Sequence, residues 1–329
     1  MSQKIRWGIV STGWMAQKFA EGLGALADAE IAAVSSRTKE SADKFGDEFN
    51  VPRRYAGIEA IAADKDVDII YIATPHPMHK NETISCLNAG KPVLCEKPLA
   101  MNSKEVREMI ACAKKNKLFL MEAMWMYFFP ALAKACELIV DGDIGEVRLV
   151  QSNICMRRAL DARDRFFNPQ LGGGALLDLG IYNIALAYKI FGKSPKKISS
   201  MAHIGESGVD EQSSTIFGYE NGETAILTCS LRTGAINDAF IYGTEGHIKI
   251  PSMFWNPDKI ILKTSENEEK EFAYKRLGNG WSFEAAEVMN CLREGKTECP
   301  IMPLKTSAAI MKTMDKIRKQ WKLVYPMER

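Results

Sequence analysis

Short apolar runs alternate with helical patterns over the first third of the chain. Five of these runs predict strands, at Ile5–Val10, Ile31–Ser36, Val67–Thr74, Pro92–Glu96 and Leu118–Ala123. Helical patterns fill the intervals, up to Leu26, after Thr38, and over Pro77–Asn88 and Ser103–Lys115. Continuous apolar strands divided by helices indicate a parallel sheet that is covered on both faces. The pattern therefore predicts a doubly wound α/β domain over residues 1-123.

The pattern changes after Ala123. A helix is predicted over Pro130–Val140, a strand over Glu146–Met156, and then a series of strands with few helices between them, at residues 196–204, 211–219, 223–231, 238–244, 247–250 and 259–264. Turn signals separate these strands, which is typical of an antiparallel sheet. Two helices close the chain, near Ser282–Arg293 and Pro303–Gln320. We therefore predict a second, α+β domain over residues 124-329, with a large, mostly antiparallel, open-faced sheet.

The turn after the first strand is suited to a pyrophosphate. It reads GIVSTGWMA over Gly8–Ala16, so Ser11, Gly13 and Ala16 stand at the three positions of the G-x-G-x-x-G/A fingerprint. Small residues there let backbone N–H groups and a helix dipole hold negative charge. A plain tight turn is the alternative interpretation. The position after the first strand of an alternating chain favours nucleotide binding.

The end of the second predicted strand bears on the choice of cofactor. NAD-binding domains usually place an acid there for the ribose 2′-hydroxyl. This chain has no acid before Glu40 and offers Ser36, Arg37 and Thr38 instead. A guanidinium can bind a 2′-phosphate bidentately, whereas the alternative is a solvated surface arginine. We therefore predict NADP, with NAD as the alternative.

Polar residues end three successive strands of the predicted parallel sheet: first Thr74, Pro75, His76 and His79, then Glu96, Lys97 and Pro98, and then Glu122. Ligands of such sheets bind beyond the carboxyl ends of the strands. A cation at this edge can stabilise an alkoxide during hydride transfer. A surface ion pair between Glu96 and Lys97 is the alternative, but adjacent strand residues point to opposite faces. A metal site at His76 and His79 is disfavoured because no acid stands at ligand spacing.

A second polar constellation lies in GGGALLDLGIY. Gly172–Gly174 allow close approach of the backbone, and Asp178 and Tyr182 are four residues apart in the helix predicted to follow. That spacing puts a carboxylate and a phenol on one helix face, where they can relay a proton. A capped, packed helix is the alternative.

Several stretches together resemble one family. WGIVSTGWMA, ATPHPMH, AGKPVLCEKPLAMN, LFLMEAMW and LGGGALLDLGIY resemble the glucose–fructose oxidoreductase/inositol dehydrogenase (Gfo/Idh/MocA) family, and its dimeric dihydrodiol dehydrogenase branch in particular. The resemblance implies a Rossmann domain, an open-faced sheet domain and NADP-linked oxidoreduction of a sugar, polyol or diol. It places the catalytic lysine at Lys97 and the catalytic aspartate at Asp178. Many relatives have histidine at the position of Tyr182, while the dihydrodiol branch has tyrosine.

The residue patterns and the resemblance together predict three sets of site residues. The catalytic set is Lys97, Tyr182 and Asp178. The cofactor contacts are Ser11, Thr12, Gly13, Trp14, Met15, Ser36, Arg37, Thr38, Thr74, Pro75, His76, His79, Glu96, Lys97, Trp125 and Arg165. The substrate contacts are Lys97, Glu122, Trp125, Asp178 and Tyr182, and no metal is expected. His76 replaces an asparagine common in relatives and Tyr127 an arginine frequent in near relatives, which leaves the substrate open.

Composition narrows the function classes. The 329 residues carry a formal net charge of +2, far from the basic excess of a nucleic-acid binder. No stretch approaches the ~18 uncharged apolar residues of a membrane span. The eight cysteines form no C-x-x-C pair, which is typical of free thiols in the cytoplasm.

We therefore predict a cytoplasmic NADP-dependent oxidoreductase that acts on a small carbohydrate, polyol or diol. Two other functions remain open, an NAD-dependent glycosidase of the same fold and a non-catalytic NADPH-binding sensor. The second predicted sheet has too few helices to cover both of its faces. An uncovered apolar face needs a partner, so we expect a homodimer or a dimer of dimers.

Overall fold

The computed structural model describes residues 4–265 and 268–329. Its first sheet contains six strands, β1 (Ile5–Val10), β2 (Ala29–Ser36), β3 (Arg53–Ala56), β4 (Ile69–Ile72), β5 (Val93–Glu96) and β6 (Leu120–Ala123). All neighbouring pairs are parallel, and the strand order is β3-β2-β1-β4-β5-β6. Every residue of β4, β5 and β6 is buried, as expected for strands covered on both faces. The predicted doubly wound domain is confirmed.

Five helices connect these strands: α1 (Trp14–Leu23), α2 (Lys39–Phe49), α3 (Ile58–Ala63), α4 (His79–Asn88) and α5 (Ser103–Asn116). The sequence patterns missed two of the elements, β3 and α3. The strand reads RRYA, and its partial burial at the edge of the sheet does not require an apolar run. The helix is only six residues long, too short to show a helical period.

The second sheet contains eight strands, β7 (Val147–Cys155), β8 (Lys197–Ile204), β9 (Asp210–Gly218), β10 (Thr224–Ser230), β11 (Ala239–Gly243), β12 (Gly246–Ile250), β13 (Lys259–Thr264) and β14 (Lys270–Ala273). Their order is β14-β13-β12-β11-β7-β10-β9-β8, and only the pair of β7 and β10 is parallel. The predicted mostly antiparallel sheet is confirmed.

Four longer helices accompany the second half of the chain, namely α6 (Pro130–Asp141), α7 (Ile181–Phe191), α8 (Trp281–Arg293) and α9 (Leu304–Trp321). α7 packs against β7 and β10, and residues 181–188 of this helix are all buried. The segment Pro169–Phe191 is long and apolar enough to span a membrane by length and composition, but 83% of its most apolar 18-residue window is buried inside the structure. Burial of that kind is what a core helix of a globular protein shows.

The contacts of the backbone divide the chain into two compact units. Unit 1 comprises Met1–Trp125 and Arg276–Ala308, and unit 2 comprises Met126–Lys275 and Ala309–Arg329. The division predicted from the sequence, 1-123 and 124-329, places its boundary close to Trp125. It differs in one segment, since residues 276–308 group with unit 1. This segment includes α8, which packs on α1.

Candidate active site

The first turn of unit 1 leaves backbone donors at a helix N-terminus. Gly13 is the N-cap of α1 and has no side chain to accept from the first N–H groups, and no acid stands in the first turn of the helix. Ser11 has a φ of 115°, a conformation that glycine adopts readily and serine rarely. It is stabilised there by its own N–H, which donates to the carbonyl of Ser35 at 2.9 Å. These features fit a pyrophosphate, because free N–H groups and a helix dipole both attract an anion.

The end of β2 adds hydroxyl groups and a guanidinium beside that turn. The hydroxyls of Thr12 and Ser36 lie 3.2 Å apart and share a hydrogen bond. Arg37 is exposed and makes no hydrogen bond or ion pair with the residues that the structure describes. The hydroxyl of Thr38 accepts from the N–H of Ser41 at 3.3 Å and so caps α2. Arg37 is therefore the group at this strand end whose charge is available to a ligand.

The segment after β4 is braced by a buried histidine. The two ring nitrogens of His79 lie 2.9 Å from the carbonyl oxygen of Pro98 and 2.8 Å from that of Thr74. The Thr74 hydroxyl donates to Glu82, whose pKa burial raises to about 6. Burial lowers the pKa of His79, because it disfavours the charged form of the ring as it does that of the Glu82 carboxyl. Since both nitrogens of His79 are directed at carbonyl oxygens of the protein, neither is directed at a metal position in the HPMH motif.

Lys97 follows β5 and lies among carboxylates. The phenol of Tyr71 donates to Glu96, and the N–H of Lys97 donates to the same carboxylate at 3.2 Å. The next peptide bond, from Lys97 to Pro98, is cis. Glu122 accepts from the N–H of Leu99 at 2.9 Å. The backbone on both sides of Lys97 is thus fixed by the carboxylates of two strand ends.

Burial shifts the protonation of the acids around this strand end. Burial raises the pKa of Glu122, which is 2% exposed. Hydrogen bonds from Ser307 and the Leu99 N–H and the charge of Lys97 lower this pKa, but burial outweighs them. Burial also raises the pKa of Glu284 well above its usual range, and the nearby charge of Glu96 adds to that shift. The sequence pattern did not reveal Glu284, because it is one of several charged residues in the helical segment around it.

Three indole rings form a row in unit 1. Trp125 stacks on Trp281 with ring centroids 4.1 Å apart, and Trp14 meets Trp281 edge-on at 6.0 Å. Trp14 is 62% exposed and Trp125 only 5%. The row connects the first turn to the segment just after β6. Trp281 was missed by sequence reasoning, since it stands far along the chain in a segment without a motif.

The glycine run of unit 2 is packed against neighbouring backbone. A Cβ on Gly173 would lie 2.7 Å from the carbonyl oxygens of Arg165 and Phe166. A Cβ on Gly174, whose φ is 116°, would lie 2.3 Å from Oδ1 of Asp210. The glycines therefore permit a close approach that any side chain would block, as the sequence analysis expected.

Two residues that support this run were not predicted. Asp210 is fully buried and accepts from the N–H of Leu176 at 2.7 Å, and burial raises its pKa to about 7. Tyr325, near the end of the described chain, donates to the carbonyl of Gly173. Asp210 begins a strand and Tyr325 follows the last long helix, so only the fold brings them together.

The predicted acid and phenol lie in one continuous helical segment. Asp178 belongs to a π-helical turn, Leu176–Gly180, and Tyr182 to α7 directly after it. The guanidinium of Arg165 donates to Asp178 at 3.0 Å, and the side chain of Asp178 is 5% exposed against 51% for Arg165. π-helical turns occur frequently at functional sites. The spacing that predicted a uniform α-helix did not reveal this turn.

The site residues therefore fall into two groups. Lys97, Glu122 and Trp125 belong to unit 1, whereas Asp178 and Tyr182 belong to unit 2. Within unit 2, the structure brings Arg165, predicted as a cofactor contact, onto Asp178. Tyr182 lies beside Trp255, with ring centroids 6.3 Å apart. The convergence of the two groups on one substrate stays a prediction.

Two family models match the chain. A model described as an oxidoreductase family with an NAD-binding Rossmann fold matches residues 5–124, and a model of the GFO/IDH/MocA C-terminal domain matches residues 132–249. The chain belongs to the GFO/IDH/MocA family. The resemblance inferred from the sequence stretches is therefore confirmed, and so is the prediction of an NAD(P)-dependent oxidoreductase.

This GFO/IDH/MocA chain has full-length relatives among named dehydrogenases. The chain is 38% identical over 336 residues to trans-1,2-dihydrobenzene-1,2-diol dehydrogenase of Mus musculus, and the match covers 99% of each protein. A similar solved structure is the 3-ketoreductase KijD10 of Actinomadura kijaniata with NADP and TDP-benzene, at a TM-score of 0.86, 23% identity, and coverage of 96% of this chain and 98% of that one. Levoglucosan dehydrogenase with NADH and levoglucosan gives a TM-score of 0.89 at 19% identity, with 98% and 99% covered. These two structures share the fold and hold different nicotinamide cofactors.

Proposed function

We propose that the chain is an NADP-dependent oxidoreductase that interconverts a secondary alcohol and its ketone in a diol, polyol or sugar. One observation carries this proposal: Lys97 stands at the end of β5, where its backbone N–H donates to the buried carboxylate of Glu96, in the same parallel sheet whose first turn offers N–H groups to an anion. Ligands of such sheets bind at that edge. The name of the mouse relative, a dehydrogenase of a diol, supports the substrate class.

The proposed chemistry separates a hydride from a proton. A bound nicotinamide supplies the hydride acceptor for the alcohol carbon, or the donor for the ketone. Lys97 stabilises the alkoxide oxygen and, with Tyr182, takes or returns the hydroxyl proton. Asp178, paired with Arg165 at 3.0 Å, orients the phenol and the substrate. Fixed charges of this kind act where negative charge develops on oxygen.

Replacing Lys97 tests the proposed chemistry. Lys97→Met keeps the apolar length of the side chain and removes its charge, so turnover on the best diol or sugar should fall by ~10²–10⁴-fold. Binding of NADPH, followed by fluorescence titration, should change little. Lys115→Met, at an exposed position of α5, is the matched control. Turnover near the wild-type rate in Lys97→Met would remove Lys97 from the mechanism.

The substrate panel separates the proposed function from its alternatives. Stoichiometric change at the NADPH absorbance band, across polyols, sugars, diols and diketones, supports oxidoreduction. Cleavage of a glycoside with the cofactor left unchanged would indicate the glycosidase. Tight NADPH binding without turnover on any substrate, and no difference between wild type and Lys97→Met, would indicate the sensor.

Arg37 carries the proposed preference for NADP. Arg37 is exposed and directly follows β2, whose last residue, Ser36, shares a hydrogen bond with the hydroxyl of Thr12. A hydrogen bond to a charged group contributes ~1.5–3 kcal/mol, so Arg37→Ala should weaken NADPH binding by about 10- to 100-fold. NADH binding should change far less, and Arg107→Ala on α5 is the control. Equal losses for both cofactors would contradict the assignment.

We also propose a homodimer formed through the second sheet. Met201 is 81%, Ile216 51% and Ile226 39% exposed, and the two isoleucines are directly opposite each other on β9 and β10. Exposed apolar side chains on one sheet face are typical of an interface. Light scattering should give twice the chain mass, and Ile216→Lys should shift it toward the monomer. Val140→Lys, at an exposed valine of α6, should leave the mass unchanged.

A further inference from the structure

Two buried thiols and a carboxylate meet at the end of α8. Glu287 and Cys291 are four residues apart on α8, and a short loop brings Cys299 back to them. The two sulfur atoms and a carboxylate oxygen of Glu287 all lie within 4.8 Å of one another. The Cys291 sulfur is 3.8 Å from Oε1 of Glu287. The cluster lies entirely in the 276–308 segment of unit 1 and shares no residue with the proposed catalytic set.

The spacing matches the edges of a coordination tetrahedron. Zinc binds cysteine sulfur at ~2.3 Å and carboxylate oxygen at ~2.0–2.2 Å, which puts neighbouring ligand atoms about 3.5–3.8 Å apart. The observed 3.8 Å between sulfur and oxygen is close to this range, and the other two pairs of ligand atoms lie within 4.8 Å. The three side chains therefore need only small rotations to converge on one cation, with a water at the fourth position.

Burial raises the pKa of both thiols of this cluster, and the neighbouring donors and charges act in both directions. Burial raises the pKa of Cys299, but the backbone N–H groups of Ile301 and Met302 donate to its sulfur and lower it. Burial raises the pKa of Cys291 to about 12, Cys299 and Glu287 add to that shift, and Lys296 opposes it. Donors that stabilise a coordinated thiolate are typical outer partners of a metal site.

A surface cavity lies beside the cluster. Cys299 lines a surface cavity of about 950 Å³ whose walls include Lys114, Lys296 and Lys305. Two thiolates and one carboxylate around a divalent ion leave one excess negative charge, which these ammonium groups offset. Thiolate ligands select zinc over magnesium or calcium, which prefer oxygen.

We propose that Glu287, Cys291 and Cys299 form a zinc site that ties the C-terminal end of α8 to the loop before α9. The ion replaces the thiol protons on binding, so its affinity rises with pH. It stabilises this loop of unit 1 and takes no part in hydride transfer.

Cobalt provides the direct test on the full-length, reduced and metal-stripped protein. One Co²⁺ per chain should produce the visible bands of a tetrahedral ion and thiolate-to-cobalt charge transfer in the near ultraviolet, and Zn²⁺ should abolish both. Cys291→Ser and Cys299→Ser should each lose most of the charge-transfer band. Glu287→Gln should keep it and weaken Zn²⁺ binding at least about tenfold. Cys112→Ser on α5 is the control and should behave as wild type.

Three results would overturn the site. The first is a wild-type titration without thiolate bands. The second is bands that persist in both cysteine variants. The third is a Cys291–Cys299 disulfide whose reduction restores no metal uptake. Where a serine variant does not fold, the wild-type protein is tested with a thiol reagent. Zn²⁺ should protect two of its thiols from modification. Glu287→Gln should need more Zn²⁺ than wild type for the same protection.

Discussion

The first turn of unit 1 and the glycine run of unit 2 both rely on glycine beside predicted site residues, but they are built in opposite ways. Gly13 is exposed, and a Cβ added to it would meet only Ser11 Oγ at 3.5 Å. Residues 172–174 are buried, and a Cβ at Gly174 would lie 2.3 Å from Asp210. The turn leaves backbone N–H groups accessible to an anion, whereas the glycine run packs tightly against neighbouring chain segments. Substitution of the glycine should therefore impair cofactor binding at the first turn and stability at the glycine run.

The largest effect should come from Gly174→Ala. Overpacking costs ~1–3 kcal/mol and a non-glycine residue at positive φ adds ~1–2 kcal/mol, so the free energy of unfolding should fall by about 2–5 kcal/mol. Gly13→Ala has room and a φ of −75°, so it should cost less than ~1 kcal/mol while weakening NADPH binding. Urea unfolding and cofactor titration of both variants measure the contrast. Similar stability losses in Gly13→Ala and Gly174→Ala would contradict this contrast between the two segments.

Asp210 should make the stability of the glycine run depend on pH. Its pKa is about 7 in the folded state against an ordinary value of 3.8, so between those two pH values the folded chain holds a proton that the unfolded chain releases. Its stabilisation is complete below pH 4 and is lost as the pH rises through 7. Asp210→Asn keeps an acceptor for Leu176 and stays neutral. It should gain up to about 4 kcal/mol over wild type by pH 8, and nothing near pH 4.

The measurement for Asp210 is the difference in unfolding free energy between variant and wild type across that pH range. Asp161→Asn is the control, because Asp161 is partly exposed and its pKa is lowered by Arg163, so the sign of its pH effect should be opposite. A difference for Asp210→Asn that stays constant with pH would contradict the buried, protonated acid.

The smallest effect should come from Ser11→Gly in the exposed turn. Relief of an unfavourable φ contributes ~1–3 kcal/mol, but the added flexibility of glycine and the lost bond from the Gly13 N–H to Ser11 Oγ offset most of it. The net stability change should lie within about 1 kcal/mol, and NADPH binding should be retained. A large loss of NADPH affinity would show that the Ser11 hydroxyl itself binds the cofactor.

Much of unit 1 could be predicted from sequence because its strands are buried on both faces. Such strands appear as continuous apolar runs, and the polar residues that end them, such as Glu96, Lys97 and Glu122, mark the carboxyl edge of the sheet. β3 and α3 were missed because an edge strand and a six-residue helix need no such run. The second sheet was recognisable from its alternating strands and turn signals, but its parallel pair of β7 and β10 was not.

The supporting contacts of the candidate site could not be predicted. Asp210 and Tyr325 reach Gly173 and Gly174 only through the fold, and Trp281 meets Trp125 across a long stretch of chain. None of these residues carries a motif, because their role depends on which distant backbone they meet.

The sequence by itself determined the chemistry available at each strand end and the alternation that specifies the first sheet. Local patterns suffice for this, since buried strands and helix N-termini depend on neighbouring residues. Only the tertiary structure decided which donors stay open, at the first turn, and which are satisfied by distant partners, as at His79, whose two nitrogens face Thr74 and Pro98. It also grouped residues 276–308 with unit 1, and within that segment the loop after α8 brought Cys299 back to Glu287 and Cys291. The physical reason is that burial and hydrogen-bond satisfaction are properties of packed space, which a linear pattern does not contain.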